Sequence, residues 1–319
     1  GALTGAGSVS LLVVGTPVAL ALKGLGVEEN KIPAILFILA GLAAAAPPVN
    51  IWAMILCAGT AIPYVGFELP LAIPVLLLGT ATILILGRQK GKKAELDEFL
   101  NKIELVPGMN WWRLLLPFAV FFGLVVAYRL WPFSFPILGL PLEFILASLA
   151  AYLISPVKIN LIKVASSTVS KLLPLLSIMV IVGMLQQIMA ASGVKGLISY
   201  SVLIIPLGLL FCLLPIIIPF SEGVLTYGGA AIIGIPLVWY LNSLGYHATI
   251  VISALSLLWP LGDGLPPTAL IGRLSLIVTG YEGSYWSSIK KAWLPWVMIT
   301  VVAILMVIFS SKLSFLVIG

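Results

Sequence analysis

The sequence predicts an all-α polytopic membrane protein with inverted-topology repeats, re-entrant helical hairpins and broken transmembrane helices. Three observations lead there: an extremely apolar composition, a lopsided distribution of basic residues, and a repeat whose two copies each end in Pro-Pro. The chain holds 61% hydrophobic and 9% charged residues, with a mean hydropathy of +1.20. Soluble domains carry about 45–50% apolar and about 25% charged residues, so the bilayer is the solvent for this chain. The windows 71–87, 114–131, 172–192 and 292–311 are long enough to cross a hydrocarbon core of about 30 Å, and too numerous for a signal peptide. Cys57 and Cys212 lie in apolar runs and read as buried, inert thiols.

Basic residues set the orientation. The segments 23–31, 88–113, 156–171 and 273–291 hold fourteen lysines and arginines, against Arg129, Lys195 and Lys312 on the other side. That bias places the first set in the cytoplasm, so the net charge of +6 records topology and not nucleic-acid binding. The mixed-sign run RQKGKKAELDEFLNK (88–102) reads as an interfacial helix with a solvated face.

The repeat follows from proline and glycine spacing. Pro17, Gly26 and Pro47–Pro48 recur as Pro236, Gly245 and Pro266–Pro267 at a constant offset of 219, and Leu22 and Leu25 recur as Leu241 and Leu244. Upstream, Gly1, Leu3, Thr4 and Gly7 match Gly223, Leu225, Thr226 and Gly229 at an offset of 222. Counting crossings gives segments 31–60 and 248–277 opposite directions, as in inverted repeats. Proline removes a backbone donor and clashes with the preceding turn. In lipid such a break persists only where it lines protein or a watery cavity. AAAAPPVN (43–50) and LGDGLPP (261–267) are therefore expected to unwind near mid-membrane, with loose carbonyls suited to a cation. Half-helices starting at Val49 and Thr268 would point positive ends at a carboxylate.

Each break follows a candidate hairpin. Arms 197–218 and 230–242 flank the breaker-rich PFSEGVLTYGG (219–229), and GALTGAGS (1–8) is the equivalent tip in the first copy. The resulting regions are 1–87 (first repeat), 88–112 (cytoplasmic connector), 113–192 (scaffold and arm helices), 193–280 (second hairpin and broken helix) and 281–319 (terminal helix). The first copy begins at its tip, so its scaffold helices and first hairpin arm are expected to precede Gly1 or to lie on another chain.

The run GALTGAGSVSLLVVGTPVALALKGLG, the break AAAAPPVN and the ending GLPPTALIGR resemble the large membrane subunit of TRAP (tripartite ATP-independent periplasmic) transporters, in the ion transporter superfamily. The resemblance implies an elevator mechanism, sodium as coupling ion with no other cofactor, organic-anion cargo, a small membrane subunit, a periplasmic substrate-binding protein, and an inner-membrane location. It implies sodium ligands at Thr4, Gly5, Ser8, Ala46 and Pro47, and at Thr226, Gly228, Gly262 and Pro266. The family's Pro-Pro-Val-Gly is here Pro-Pro-Val-Asn and Pro-Pro-Thr-Ala.

Intramembrane acids are functional candidates by default. Asp263, whose counterpart is Ala44, is a further sodium-ligand candidate. Asn50, Ser221, Glu222 and Thr268 are the substrate-binding candidates, with helix capping as an equal alternative for Asn50. Arg273 reads as an orientation anchor, His247 as solvated, and Gln186 and Gln187 as glue between helices. An intramembrane aspartyl protease needs paired carboxylates, and Asp97, in the basic connector, is the only other aspartate. A sodium/proton antiporter, a passive channel or another carboxylate symporter of the superfamily are the remaining alternatives, and no covalent catalysis is expected.

Overall fold

The computed structural model describes residues 1–88, 108–131, 134 and 140–317, so most of the expected connector helix, with Asp97, lies outside the described residues. All regular structure among them is helical. The chain divides into two compact units, Gly1–Leu96 with Pro174–Gly319, and Asp97–Leu173. In the smaller unit, α6 (Trp111–Leu130) and α7 (Leu140–Ile154) pack together, with Phe121 stacked on Phe144.

The larger unit opens with α1 (Gly7–Ser10), a π-helical turn (Leu11–Gly15) and α2 (Thr16–Gly24). A broken pair follows, α3 (Ile32–Ala45) and α4 (Ile51–Thr60), then the long α5 (Glu68–Leu86). Beyond α8 (Leu161–Ala191) the chain bends by 79° into α9 (Val194–Leu203) and continues as α10 (Leu207–Leu225). Next come a second π-helical turn (Ala230–Gly234), α11 (Ile235–Ser243), and the pair α12 (Ala248–Gly262) and α13 (Leu270–Thr279). The short α14 (Tyr285–Ile289) leads into α15 (Trp293–Ile308). Four helical stretches among the described residues are long and apolar enough to span a membrane: Gly7–Gly24, Glu68–Leu86, Leu207–Leu225 and Tyr285–Ile308.

The proline offset extends to whole elements. Both π-helical turns, α2 with α11, and α4 with α13 have boundaries 219 residues apart. The ends correspond bond for bond. Gly26 and Gly245, at φ 75° and 91°, close matching Schellman caps. In these caps Val27 N–H donates to the Leu22 carbonyl and Tyr246 N–H to the Leu241 carbonyl, both at 3.1 Å. Pro47–Pro48 and Pro266–Pro267 are both cis. Ala61 and Gly280, at matching positions, end α4 and α13 in the left-handed region.

α3 and α12 form the core: twelve of fourteen residues in α3 and all but the first residue of α12 are buried. Helices in lipid gain little from hiding apolar surface and associate through close packing, for which small residues are needed. The chain uses glycine this way. A Cβ on Gly41 would meet the Pro260 Cβ at 2.9 Å, and Gly59 and Gly15 lie against Ile235 and Val278. The last two contacts are reciprocal, because the first π-helical turn rests on α13 and the start of α11 rests on α4. Thr16 Oγ1 strengthens one of them by donating to the Val278 carbonyl at 3.1 Å.

Three expectations change. α10 continues through Pro215 and Pro219 to Leu225, so the second tip shrinks from 219–229 to Thr226–Gly229. The expected arm 197–218 is two helices, separated before Pro206, whose ring cannot extend a helix. Cys212 is exposed on the outer face of α10, whereas Cys57 is buried as expected.

Candidate functional site

The two breaks span residues 46–50 and 263–269, and the half-helices beyond them start at Ile51 and Leu270, two residues later than the spacing suggests. Each is tied to a neighbouring element at the residue after Pro-Pro, the first break to the first tip and the second to the last turns of α10. Val49 N–H donates to the Ala2 carbonyl at 3.1 Å, and Thr268 N–H to the Gly223 carbonyl at 3.1 Å, seconded by Thr268 Oγ1 at 2.9 Å.

At the first break, Thr4 is buried, and its hydroxyl donates to the Gly1 carbonyl and accepts from Ala6 N–H. Gly5 adopts φ 66°, and a Cβ there would collide with Val49 and Ile51, so the tip lies directly on the break. Ser8 sits in α1, half-buried. The Ala46 and Pro47 carbonyls accept no hydrogen bond among the described residues. Asn50 caps α4: its Oδ1 accepts from Ala53 N–H at 3.0 Å, while Nδ2 donates to the Ala45 carbonyl at 2.8 Å and to Ser256 Oγ at 3.0 Å. With no exposed surface, the Asn50 amide serves the break itself and ties it to α12.

The second break is more heavily bonded than expected. Gly262, Gly264 and Pro267 carbonyls accept from Leu265 N–H, Tyr285 Oη and Arg273 Nη2, and the Asp263 carbonyl accepts from Gly272 N–H. Only Pro266 and Pro267 of this stretch are exposed. Arg273, also exposed, occupies the first turn of α13 and braces the break from outside. A Cβ on Gly262 would overlap the Pro219 carbonyl oxygen and the Glu222 Cβ, so α10 and α12 touch there through glycine.

Ser221 donates to the Ile218 carbonyl, and Glu222 is 1% exposed, one turn before the helix end. Thr226 turns the chain at φ 51°, its hydroxyl bonded to the Leu225 carbonyl. Gln186 Nε2 donates to that same carbonyl at 2.6 Å, and Gly228 lies against the Gln186 amide. Gln186 is thus glue of a particular kind, a clasp on the second tip; Gln187 is exposed.

Sequence reading missed the aromatic side chains here. Trp52, fully buried in α4, faces the Glu222 carboxyl and packs on Tyr227 with ring centroids 5.2 Å apart. Asp263, 3% exposed, interacts electrostatically with Glu222, Tyr227 and Tyr285. Without a partner motif, a lone tryptophan in an apolar run gave no signal. His247, expected in solvent, is half-buried at the start of α12, where its N–H donates to Ser310 Oγ. An apolar cavity of about 460 Å³ beside the tip, lined by Leu197, Val202, Ile217 and Phe220, offers no charged group. No cluster of three or more His, Cys, Asp or Glu side chains suited to a metal ion occurs among the described residues. Compared with family models and with curated proteins, the sequence matches none.

Proposed function

We propose that this chain is the cargo-carrying part of a secondary active transporter, importing organic anions such as dicarboxylates with sodium. The observation that carries the reading is the pair of Pro-Pro helix breaks at one offset, the first hydrogen-bonded to its tip and the second to the last turns of α10. Paired interruptions of this kind are the feature transporters use to hold ions and cargo near mid-membrane. In this reading the two copies run in opposite directions across the inner membrane. Sodium binds at the tip-plus-break sites, and the cargo binds between them. The hairpin-bearing body moves as an elevator against a scaffold, with a small membrane subunit and a periplasmic binding protein as partners, as in the TRAP subunits it resembles.

The test is sodium-driven uptake and counterflow of labelled carboxylates in proteoliposomes. Replacing Pro47–Pro48 with Ala-Ala should abolish uptake while leaving membrane insertion intact; normal transport would refute the broken-site reading. A second reading, cation exchange without organic cargo, is favoured by one observation. The buried ionisable groups at the second break, Glu222 and Asp263, are both acids, while Arg273 is exposed. Cation exchange predicts no carboxylate counterflow.

A further inference from the structure

The cavity of about 460 Å³ beside the second tip has walls from four segments. They are Met189 at the end of α8, Ile198 and Val202 in α9, Ile217 and Val224 in α10, and Ile233 in the second π-helical turn. Ser221 and Leu225, also in its lining, are buried, whereas Leu197 and Phe220 are 64% and 61% exposed. The cavity therefore runs from the base of the tip to the outer surface of α9 and α10. α10 is long and apolar enough to span a membrane, and the bent pair α8 and α9 passes the same test together. The mouth is thus continuous with a surface that meets lipid tails.

The lining selects the ligand. None of its side chains is charged among the described residues, so an organic anion or a headgroup finds no countercharge. Its two hydroxyls are already used: Ser201 Oγ donates to the Leu197 carbonyl at 2.8 Å and Ser221 Oγ to the Ile218 carbonyl at 2.7 Å. Buried water needs two to four polar partners, and an apolar cavity of about 150 Å³ stays dry and takes up benzene. This one is about three times larger, with room for most of an acyl chain. Two of its walls also belong to the tip. The Leu225 carbonyl accepts from Gln186 Nε2 and Thr226 Oγ1, and a Cβ on Gly229 would lie 2.6 Å from Ser221 Oγ. We propose that one acyl chain of a membrane phospholipid occupies this cavity and braces the second tip, so that residues 226–229 open only when the chain withdraws. The site goes beyond the carrier reading and does not depend on the cargo.

The test uses the purified protein, stripped of lipid in detergent, and a phosphatidylcholine with a photoactivatable diazirine midway along one tail. At low lipid it should label segments 197–205 and 217–225 saturably, and excess dioleoyl phosphatidylcholine should compete the label away. Exposed Leu76, Leu77 and Leu84 of α5 are the ordinary lipid-facing control, and their labelling should not saturate. Hydrogen exchange at residues 226–229 should slow about tenfold once the lipid reaches about ten times its Kd. Val224→Phe and Ser201→Phe, which place a ring in the space, should each abolish the label and slow tip exchange without lipid. If one of them fails to fold, the other decides. Labelling that matches α5 and resists competition, or tip exchange indifferent to lipid, would overturn the proposal. So would stronger competition by oleate than by phosphatidylcholine, which makes a free fatty acid the occupant. A two-chain particle that shields these segments without lipid would assign the cavity to a second copy and overturn it too. Absent carboxylate uptake would count against the transport reading alone, because lipid binding is read here without cargo.

Discussion

Asn50 offers the sharpest test of how the first break is held. Its side chain satisfies three groups at once: Ala53 N–H, the Ala45 carbonyl and Ser256 Oγ. Truncation to alanine removes the helix cap, a loss of about 1 kcal/mol. It also strands the buried Ala45 carbonyl, at about 1–3 kcal/mol. Ser256 keeps its own bond to the Ser253 carbonyl, so its share is small. Asn50→Ala should therefore destabilise the protein by about 2–4 kcal/mol. Asn50→Ser keeps a capping oxygen but is too short to reach Ala45, so it should recover about 1 kcal/mol of that loss. Ser256→Ala combined with Asn50→Ala should show a coupling of about 0.5–1.5 kcal/mol. Equilibrium unfolding in mixed micelles, followed by helical circular dichroism, reads the wild type, Asn50→Ala, Asn50→Ser, Ser256→Ala and the double variant. A loss below about 1 kcal/mol for Asn50→Ala, or zero coupling to Ser256, would refute the bracing role and return Asn50 to the cargo-binding candidates.

Two further outcomes follow from contacts at the second tip. Gly262→Ala must drive α10 from α12, since the new methyl overlaps Pro219 and Glu222; a loss of about 2–3 kcal/mol is expected. By contrast Gly196→Ala, in α9 with open space around it, should gain up to about 1 kcal/mol in the same unfolding assay; equal effects would contradict the packing described. Gln186→Leu removes the clasp on the Leu225 carbonyl. Hydrogen exchange at residues 226–229 should quicken about fivefold, the equivalent of one hydrogen bond of about 1 kcal/mol, and unchanged exchange would show that the clasp holds nothing.

Much of this architecture was legible in the chain because the bilayer limits the choices. Apolar runs had to become helices, and Pro-Pro inside such a run had to interrupt one. The constant offset carried through because prolines and glycines set the ends of elements, so matching punctuation produced matching boundaries at residues 16–24 and 235–243. Local signals failed where tertiary packing decided. Pro219 read as the start of a breaker-rich tip, yet α10 runs through it to Leu225, held against α12. The carbonyls of the second break read as loose, but Tyr285 and Arg273, from later in the sequence, reach back to them. Trp52 was silent because its meeting with Glu222 joins residues 170 positions apart, across the two copies.

The exchange of arms between copies has a mechanical meaning. Gly15 on Val278 and Gly59 on Ile235 clasp the halves like folded hands, so neither can be withdrawn without opening the other. Any displacement of the Gly15 or Ile235 segment would drag the opposite half-helix with it, so these parts of the larger unit behave as one body. Severed halves produced separately should be orphans, recovering their shape only when they meet.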